Sequence, residues 1–490
     1  MLLSAVKKLI GQTATYGLSS IVGRLLNYLL VPIYVRLFLT GEYGIISELF
    51  SYIAISMALL THGMEVTYFR FSSQEKKDIL PTAMFSHIVV VSLLVIGYFI
   101  FQDNVLALMS YEEYPDLINY LVWILVADTL STIPFAKLRN LGKAKYFAFV
   151  KLSNIAINIG LNLYFLIWCP MAIKNDWPLV GLAKASYNPD LGIEYIFIAT
   201  LVAGLWSLLL LAPTYIKVKW TIDKDLWKRM LKYAWPLMIA GLAYVVNEAL
   251  DRILLRHWLP FSEEVSLQQI GIYSACYKLS IIMTLFIQSI RLGIEPFFFS
   301  HSKKENAQAT YAVIMKYVIL IGVFIFLGVC FYIDIIKHFL DPAYFEGLVV
   351  VPILLLANLM LGIYFNLSVW YKLSGKTYHG AYISIIGAMV TLGLNYLLIP
   401  TLGYLGSAWA TLAAYSSMVV LSYLIGRKNY QFEYDLKNIG LGFLIGLCLY
   451  AISVKIEAGM LMDTGLLAIF IIWVYFSERK NLSKLLRNEN

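Results

Sequence analysis

Apolar windows of about 20 residues recur along almost the whole chain. They predict fourteen membrane-spanning helices, beginning near Gly11, Tyr43, Pro81, Pro115, Lys145, Ile193, Lys228, Gln268, Gln308, Phe345, Thr377, Tyr404, Leu436 and Leu461. A few windows carry polar residues at helical spacing. The clearest is Gly271–Glu295, where Tyr273, Tyr277, Ser280, Thr284, Gln288, Arg291 and Glu295 step by three or four residues. Such steps keep one face of a helix, so a polar stripe runs the length of a predicted span. A stripe of this kind faces protein or a water-filled cavity, because lipid cannot satisfy it.

The same stretch occurs earlier in the chain. Gly41, Tyr43, Gly63, Glu65, Phe69 and Ser72 recur 230 residues later as Gly271, Tyr273, Gly293, Glu295, Phe299 and Ser302. Further along, Gly142-Lys143 and Gly160-Leu161-Asn162 recur after 233 residues as Gly375-Lys376 and Gly393-Leu394-Asn395. Asn27 and Arg36 recur after 220 as Asn247 and Arg256. The chain therefore reads as a tandem duplication whose copies lie six spans apart. Six is even, so both halves have one orientation and are expected to be related by an axis along the membrane normal. The expected plan is all-α. An N-lobe occupies 1–216, a cytoplasmic linker 217–230, a C-lobe 231–426, and an appended helix pair 427–490.

Composition agrees with membrane burial: 60% of the 490 residues are hydrophobic and 14% charged. With both termini inside, cytoplasmic segments hold 26 of the 38 Lys and Arg. The outer loops hold only Arg36, Lys174, Lys184, Arg256, Lys337 and Lys455. That asymmetry is the positive-inside rule, and it places the N- and C-termini in the cytoplasm. The net charge of +8 follows from this topology and calls for no nucleic-acid partner. The Lys217–Lys232 stretch, with six basic residues and two Trp, reads as an amphipathic segment at the lipid surface. The four cysteines are scattered and read as small packing residues.

Several buried positions carry chemistry. Arg24 lies near the middle of the first span, where a charge costs about 2.5–3.5 kcal/mol on insertion scales. Arg24 reads either as a cavity cation for an anionic substrate or as the partner of an acid such as Glu48, Asp128 or Asp251. Asn27 shares its face. Glu65 is a candidate coupling-ion site or the partner of a base such as Arg70. Asp128 is a proton carrier or an ion-pair partner. Asn154, Asn158 and Asn162 step by four and serve as helix–helix glue or line a cavity. Glu248 and Arg252 are also four apart and positioned to pair. At the 230-residue offset Glu48 falls on Lys278, so corresponding positions carry opposite charges. These two residues are a candidate gate, each with the alternative of a partner in its own half.

Other patterns lead away from catalysis. The six histidines show no metal or triad spacing. Gly375-Lys376-Thr377 mimics the end of a phosphate loop, but position 370 is Trp where that motif needs Gly. Asp223-x-Asp225 resembles a sugar-nucleotide metal motif without a folded domain around it. No long outer loop is present to hold a glycosyltransferase or polymerase site, so the protein is expected not to be an enzyme and to need no cofactor or metal.

The residues also carry a resemblance. Thr13–Ser20, Gly41-Glu42-Tyr43-Gly44, Gly63-Met64-Glu65 with Phe69-Arg70-Phe71, Leu231-Lys232-Tyr233 with Pro236, Asp251-Arg252, and the run from Gly375-Lys376 to Asn395, Pro400, Gly403 and Gly406 resemble the polysaccharide-exporting (Wzx-like) flippases. These belong to the multidrug/oligosaccharidyl-lipid/polysaccharide exporter superfamily. The resemblance implies two six-helix lobes with spans one, two, seven and eight lining a cleft. It also implies a substrate, an oligosaccharide on undecaprenyl diphosphate. That substrate crosses from the cytoplasmic to the periplasmic leaflet of the bacterial inner membrane, for O-antigen, capsule or exopolysaccharide assembly alongside polymerase machinery. One departure is Arg24, where the drug-exporting branch has an acidic cation site. The substrate-binding candidates are Arg24, Asn27, Tyr273, Tyr277, Lys278, Gln288 and Arg291, with Arg24, Lys278 and Arg291 placed against the diphosphate. Glu48, Glu65, Asp128, Asp251 and Glu295 are the gate or ion-coupling candidates. The alternatives are a lipid II flippase or a multidrug/cation antiporter of the same fold, and a membrane glycosyltransferase or polymerase.

Overall fold

The structure, a computed structural model, describes residues 23, 25–75, 77–301, 307–374, 376–429 and 434–487. Within these, the side chains of 292–301, 307, 309, 429 and 480–487 are excluded. The described residues form helices and connecting turns, with no strand among them. The protein is an all-α integral membrane protein. Eleven described helices are long and apolar enough to cross a bilayer, and a bent pair makes a twelfth. The predicted starts from Tyr43 to Leu461 fall within a few residues of the observed ones. The first predicted span lies mostly outside the described residues, which retain an apolar helix over Leu25–Leu37. The seventh is a 35-residue helix whose apolar part is interrupted by Asn247, Glu248, Asp251 and Arg252.

The chain divides into two compact units, Met1–Val245 and Val246–Asn490. In the first unit the described elements are α1 (Val31–Leu37), α2 (Thr40–Thr61), α3 (Met64–Gln74), α4 (Leu80–Ile100), α5 (Gln102–Met109), α6 (Pro115–Asn140), α7 (Ala144–Leu163), α8 (Cys169–Asn175), α9 (Val180–Ser186) and α10 (Glu194–Ile216). Helix α6, the fourth span, is the centre and packs against α2, α3, α4, α7 and α10. Asn154 donates to the Ala203 carbonyl (2.6 Å) and to Ser207 Oγ (3.0 Å), joining α7 to α10. Asn162 accepts from the Tyr34 hydroxyl at 2.8 Å, joining α7 to α1. These asparagines act as glue, satisfying polar groups where lipid offers no partner.

Helix α11 (Lys224–Trp258) begins in the first unit and continues into the second. Its first turns correct the expectation of a linker lying on lipid. Leu226, Met230 and Ala234, four residues apart, are buried against Met64, Tyr68, Leu80, Ala83 and Ile133. The apolar face that looked suited to lipid meets α3, α4 and α6, and the boundary between units falls beyond the linker, at Val245.

The second unit holds the rest of α11, then α12 (Glu263–Leu279), α13 (Ile281–His301), α14 (Ala307–Phe331), α15 (Val350–Leu367), α16 (Val369–Leu373), α17 (Tyr378–Leu402), α18 (Tyr404–Asn429), α19 (Leu436–Lys455) and α20 (Met460–Arg487). Helix α15, the tenth span, packs against α12, α13, α14 and α18. It occupies the place that α6 has in the first unit. The appended helices α19 and α20 pack on α14. There the Lys316 ammonium lies 2.7 Å from both carboxylate oxygens of Glu478 and 3.6 Å from Asp435, and Tyr317 donates to Glu478 at 3.2 Å. Lys316 and Glu478 are almost fully buried, so each neutralises a charge that lipid cannot solvate.

Candidate functional site

The polar stripe predicted on one helix is divided between two. The Glu263–Arg291 stretch bends by 49° between α12 and α13. Ser280 sits at the bend, with Oγ donating to the Tyr277 carbonyl at 2.7 Å and accepting from Asn358 of α15 at 3.2 Å. Its backbone N–H closes a short turn to Tyr277, and Met283 N–H closes the next to Ser280. A serine bonding its own backbone, reinforced by a neighbouring amide, bends a helix here. Tyr273, Tyr277 and Lys278 thus lie before the bend, and Thr284, Gln288 and Arg291 after it.

Before the bend, the side chains converge with those of α11. The Arg252 guanidinium donates to Asp251 Oδ1 and to the Glu248 carbonyl, both at 2.8 Å. Asp251 also accepts from the Tyr273 hydroxyl at 2.6 Å. The guanidinium carbon lies 4.4 Å from the Tyr277 ring centre, a cation–π arrangement. Asp251 and Arg252 are 4% and 8% exposed, so the pair is held in a nearly dry interior. The predicted Glu248–Arg252 contact is made through the Glu248 backbone carbonyl, and the acid that binds Arg252 is the adjacent Asp251. Lys278 is one residue from Tyr277, and its charged neighbours are Arg252 and Glu248. Two cations, two acids and two phenols are thus gathered within one unit.

The other candidates are placed separately. Arg291 is exposed, its guanidinium stacked 4.5 Å from the Phe365 ring centre, and Gln288 is half-buried. Asn27 is exposed at the edge of the described residues. Glu48, fully buried, accepts from the Tyr111 hydroxyl at 2.8 Å. Both Glu48 and Lys278 therefore have neighbours within their own units. Glu65 forms its ion pair with Arg139 of α6, whereas the expected partner, Arg70, stacks 4.2 Å from Tyr233. Glu65 and Arg70 lie close in sequence, but the α3–α6 packing brings Arg139 to the carboxylate. The charged neighbour of Asp128 is Lys151 of α7. Arg24 and the Glu295 side chain lie outside the described residues. Sequence reading assigned Arg252 a purely local pairing and did not single out Lys316 or Glu478. The signal for Arg252 was its place in a membrane helix, next to Asp251 and one turn from Glu248.

The helices and buried charges define a polytopic membrane protein built on a repeated helical plan. The sequence profile of the family described as polysaccharide biosynthesis protein matches residues 10–302, and the chain belongs to that family. Among solved structures, the lipid II flippase MurJ in an inward closed conformation has a TM-score of 0.72 at 15% identity, covering 96% of this chain and 100% of its own. An inward-facing multidrug resistance MATE family transporter of the MOP superfamily has a TM-score of 0.65 at 14% identity, covering 83% of this chain and 94% of its own. An outward-facing MATE family structure follows at 0.60 and 13%, covering 86% and 95%. These likenesses establish a shared fold. No protein of curated function matches the sequence.

Proposed function

We propose that this protein is a flippase that carries an oligosaccharide on undecaprenyl diphosphate from the cytoplasmic to the periplasmic leaflet of the bacterial inner membrane. Transport is by alternating access, feeding polymerisation of a surface polysaccharide, and both termini are cytoplasmic. The observation that carries the reading is the buried Asp251–Arg252–Tyr273 arrangement beside Lys278, in a chain of the polysaccharide biosynthesis family. An arriving diphosphate competes with Asp251 for the Arg252 guanidinium, whose planar donors suit phosphate oxygens, while Lys278 adds a second point charge. A cation shared between an internal acid and a substrate has two partners. That gives the substrate the differential affinity for two states that transport requires. Arg291, exposed beyond the bend, is the third diphosphate contact, and Arg24, a candidate from the sequence, lies outside the described residues.

The test is deletion of the gene, followed by identification of the lipid-linked sugar that accumulates on the inner leaflet. A non-peptidoglycan oligosaccharide on the carrier is expected. Accumulation of lipid II instead assigns the protein to the other flippase activity, and dye resistance on expression without any accumulated carrier assigns a cation antiporter. Arg252→Gln and Lys278→Gln are each expected to stop complementation with protein still in the membrane. Full complementation by both removes this cluster from the substrate path.

A further inference from the structure

In the first unit α7 and α10 run antiparallel, and polar contacts hold the seam between them. The Tyr146 hydroxyl donates to the Leu210 carbonyl at 2.7 Å, and Trp206 Nε1 donates to Ser153 Oγ at 3.1 Å. On the side toward α6, Phe147, Val150 and Leu211 are buried against Phe135 and Leu138. The other side is uncovered. Lys145, Tyr146 and Phe149 are exposed on α7, with Lys145 one turn before Phe149 on the same face. Trp206 and Leu209 are exposed on α10, and Lys217, also exposed, follows Trp206 by three turns on that face.

Each stripe is apolar along the span and cationic at one end, and in the antiparallel pair it is the same end. Side chains lean toward the N-terminus of their helix. Lys145 therefore leans outward from the start of α7 and Lys217 leans back from the end of α10, which brings both ammonium groups toward one level. Neither has a carboxylate partner among the described residues, and neither helix carries an acid near this end. Lys143, exposed at the turn before α7, adds a third cation. Lys151, farther along α7, is directed elsewhere, its ammonium 4.4 Å from the Phe135 ring centre. Both helices are long and apolar enough to cross a bilayer. Hydrocarbon therefore covers the aromatic part of the seam, and headgroups meet its cationic end.

We propose that the α7–α10 seam binds an anionic phospholipid, with its phosphate between Lys145 and Lys217 and an acyl chain along Phe149, Trp206 and Leu209. Charge selects the occupant. Two ammonium groups without an acid attract a headgroup that carries only negative charge, whereas a zwitterionic headgroup brings a repelling cation with its phosphate. Each ammonium–phosphate contact is also a charge-assisted hydrogen bond. The exposed rings supply a rigid apolar wall just inside the headgroup layer, where aromatic side chains of membrane proteins concentrate. The α7 cation is not repeated in the second copy, because at the 233-residue offset Lys145 falls on Tyr378. The proposal does not depend on which substrate is carried.

Photochemical capture of lipid at the seam tests it. The full chain, with a photoreactive phenylalanine analogue in place of Phe149, is irradiated in nanodiscs of equal phosphatidylglycerol and phosphatidylcholine, and the attached lipids are weighed. Each lysine beside an anionic headgroup is worth about fivefold, so phosphatidylglycerol adducts should exceed phosphatidylcholine adducts by about 25-fold. Lys145→Gln with Lys217→Gln should bring the two close to equal. Equal attachment with both lysines present, or a preference that survives their replacement, overturns the proposal. Inorganic phosphate, compared with chloride at equal ionic strength, should leave the ratio unchanged; collapse of the ratio makes this a soluble-anion site and overturns the lipid assignment. In native membranes the same label should attach phospholipid, and attachment to a protein overturns it. Wild type released from the same nanodiscs gives a reading that needs no variant to fold: it should retain phosphatidylglycerol over phosphatidylcholine, and retention without preference overturns the site.

Discussion

The two copies of the duplicated stretch begin alike and bend differently. In the first unit, the copy runs straight through α2 and breaks only after Thr61, at His62–Gly63. In the second, the break comes much earlier, at Ser280, and the position matching Gly63 is Gly293, inside regular helix α13. The reason lies in what packs alongside. At Gly63 an added Cβ meets the Ala234 carbonyl at 2.8 Å and Leu237 Cβ at 2.9 Å, so α11 presses on a backbone that must also turn left-handed. At Ser280 it is the side chain of Asn358 that supports the bend. A shared sequence pattern thus sets where a span lies, and its neighbours set where it breaks. The third span of each copy diverges further. Ser86, which bonds His62 at the break after α2, falls on Lys316, so a position that meets a helix end in one unit anchors the appended helices in the other.

The largest expected effect separates these third spans. Lys316→Ala leaves the buried Glu478 carboxylate without its cation, at a cost of about 3–5 kcal/mol. It should sharply lower the melting temperature of the purified protein. Replacing both residues with Met and Leu should recover most of the loss; failure to recover would show that the pair contributes more than charge neutralisation. Next come the two glycines. Gly63→Ala forces a side chain into the left-handed region and against α11, costing about 1–3 kcal/mol from strain alone. Gly293→Ala should be neutral or stabilising by up to about 1 kcal/mol, since alanine is the better helix former. Equal effects of the two would mean the copies share one break after all. Ser280→Ala should cost about 1 kcal/mol and straighten the α12–α13 junction, read as a longer distance between spin labels on the two helices. An unchanged distance would assign the bend to packing alone.

The smallest effect concerns the start of α11. The Leu226 N–H donates to Asp223 and Lys77 lies 3.5 Å away, holding that carboxyl below its usual range. A lowered folded-state value means stabilisation present above the unfolded value and lost as pH falls through the folded one. Asp223→Asn should therefore remove a slight acid sensitivity, seen as a flatter plot of melting temperature against pH below about 4. Both groups are exposed, so the change should be small and should vanish in high salt.

Hydropathy alone located the spans, because a bilayer-length apolar run has few other uses. The repeat of Gly, Tyr and Glu positions gave the duplication, and lysine and arginine asymmetry gave an expected orientation. Helical spacing identified Tyr273, Tyr277 and the α7 asparagines as inward-facing. Partner choice was not legible. Glu65 takes Arg139 over the nearer Arg70, Arg252 takes Asp251 over Glu248, and Lys316 takes a glutamate 162 residues away. Nor did the spacing of His62 and His87 reveal that the two rings stand edge to face, with His62 at the break in the second span. Periodicity along one helix states which face a residue occupies, because it depends only on local backbone geometry. Which side chain on another helix meets that face depends on how the helices pack, and only the tertiary structure decides it.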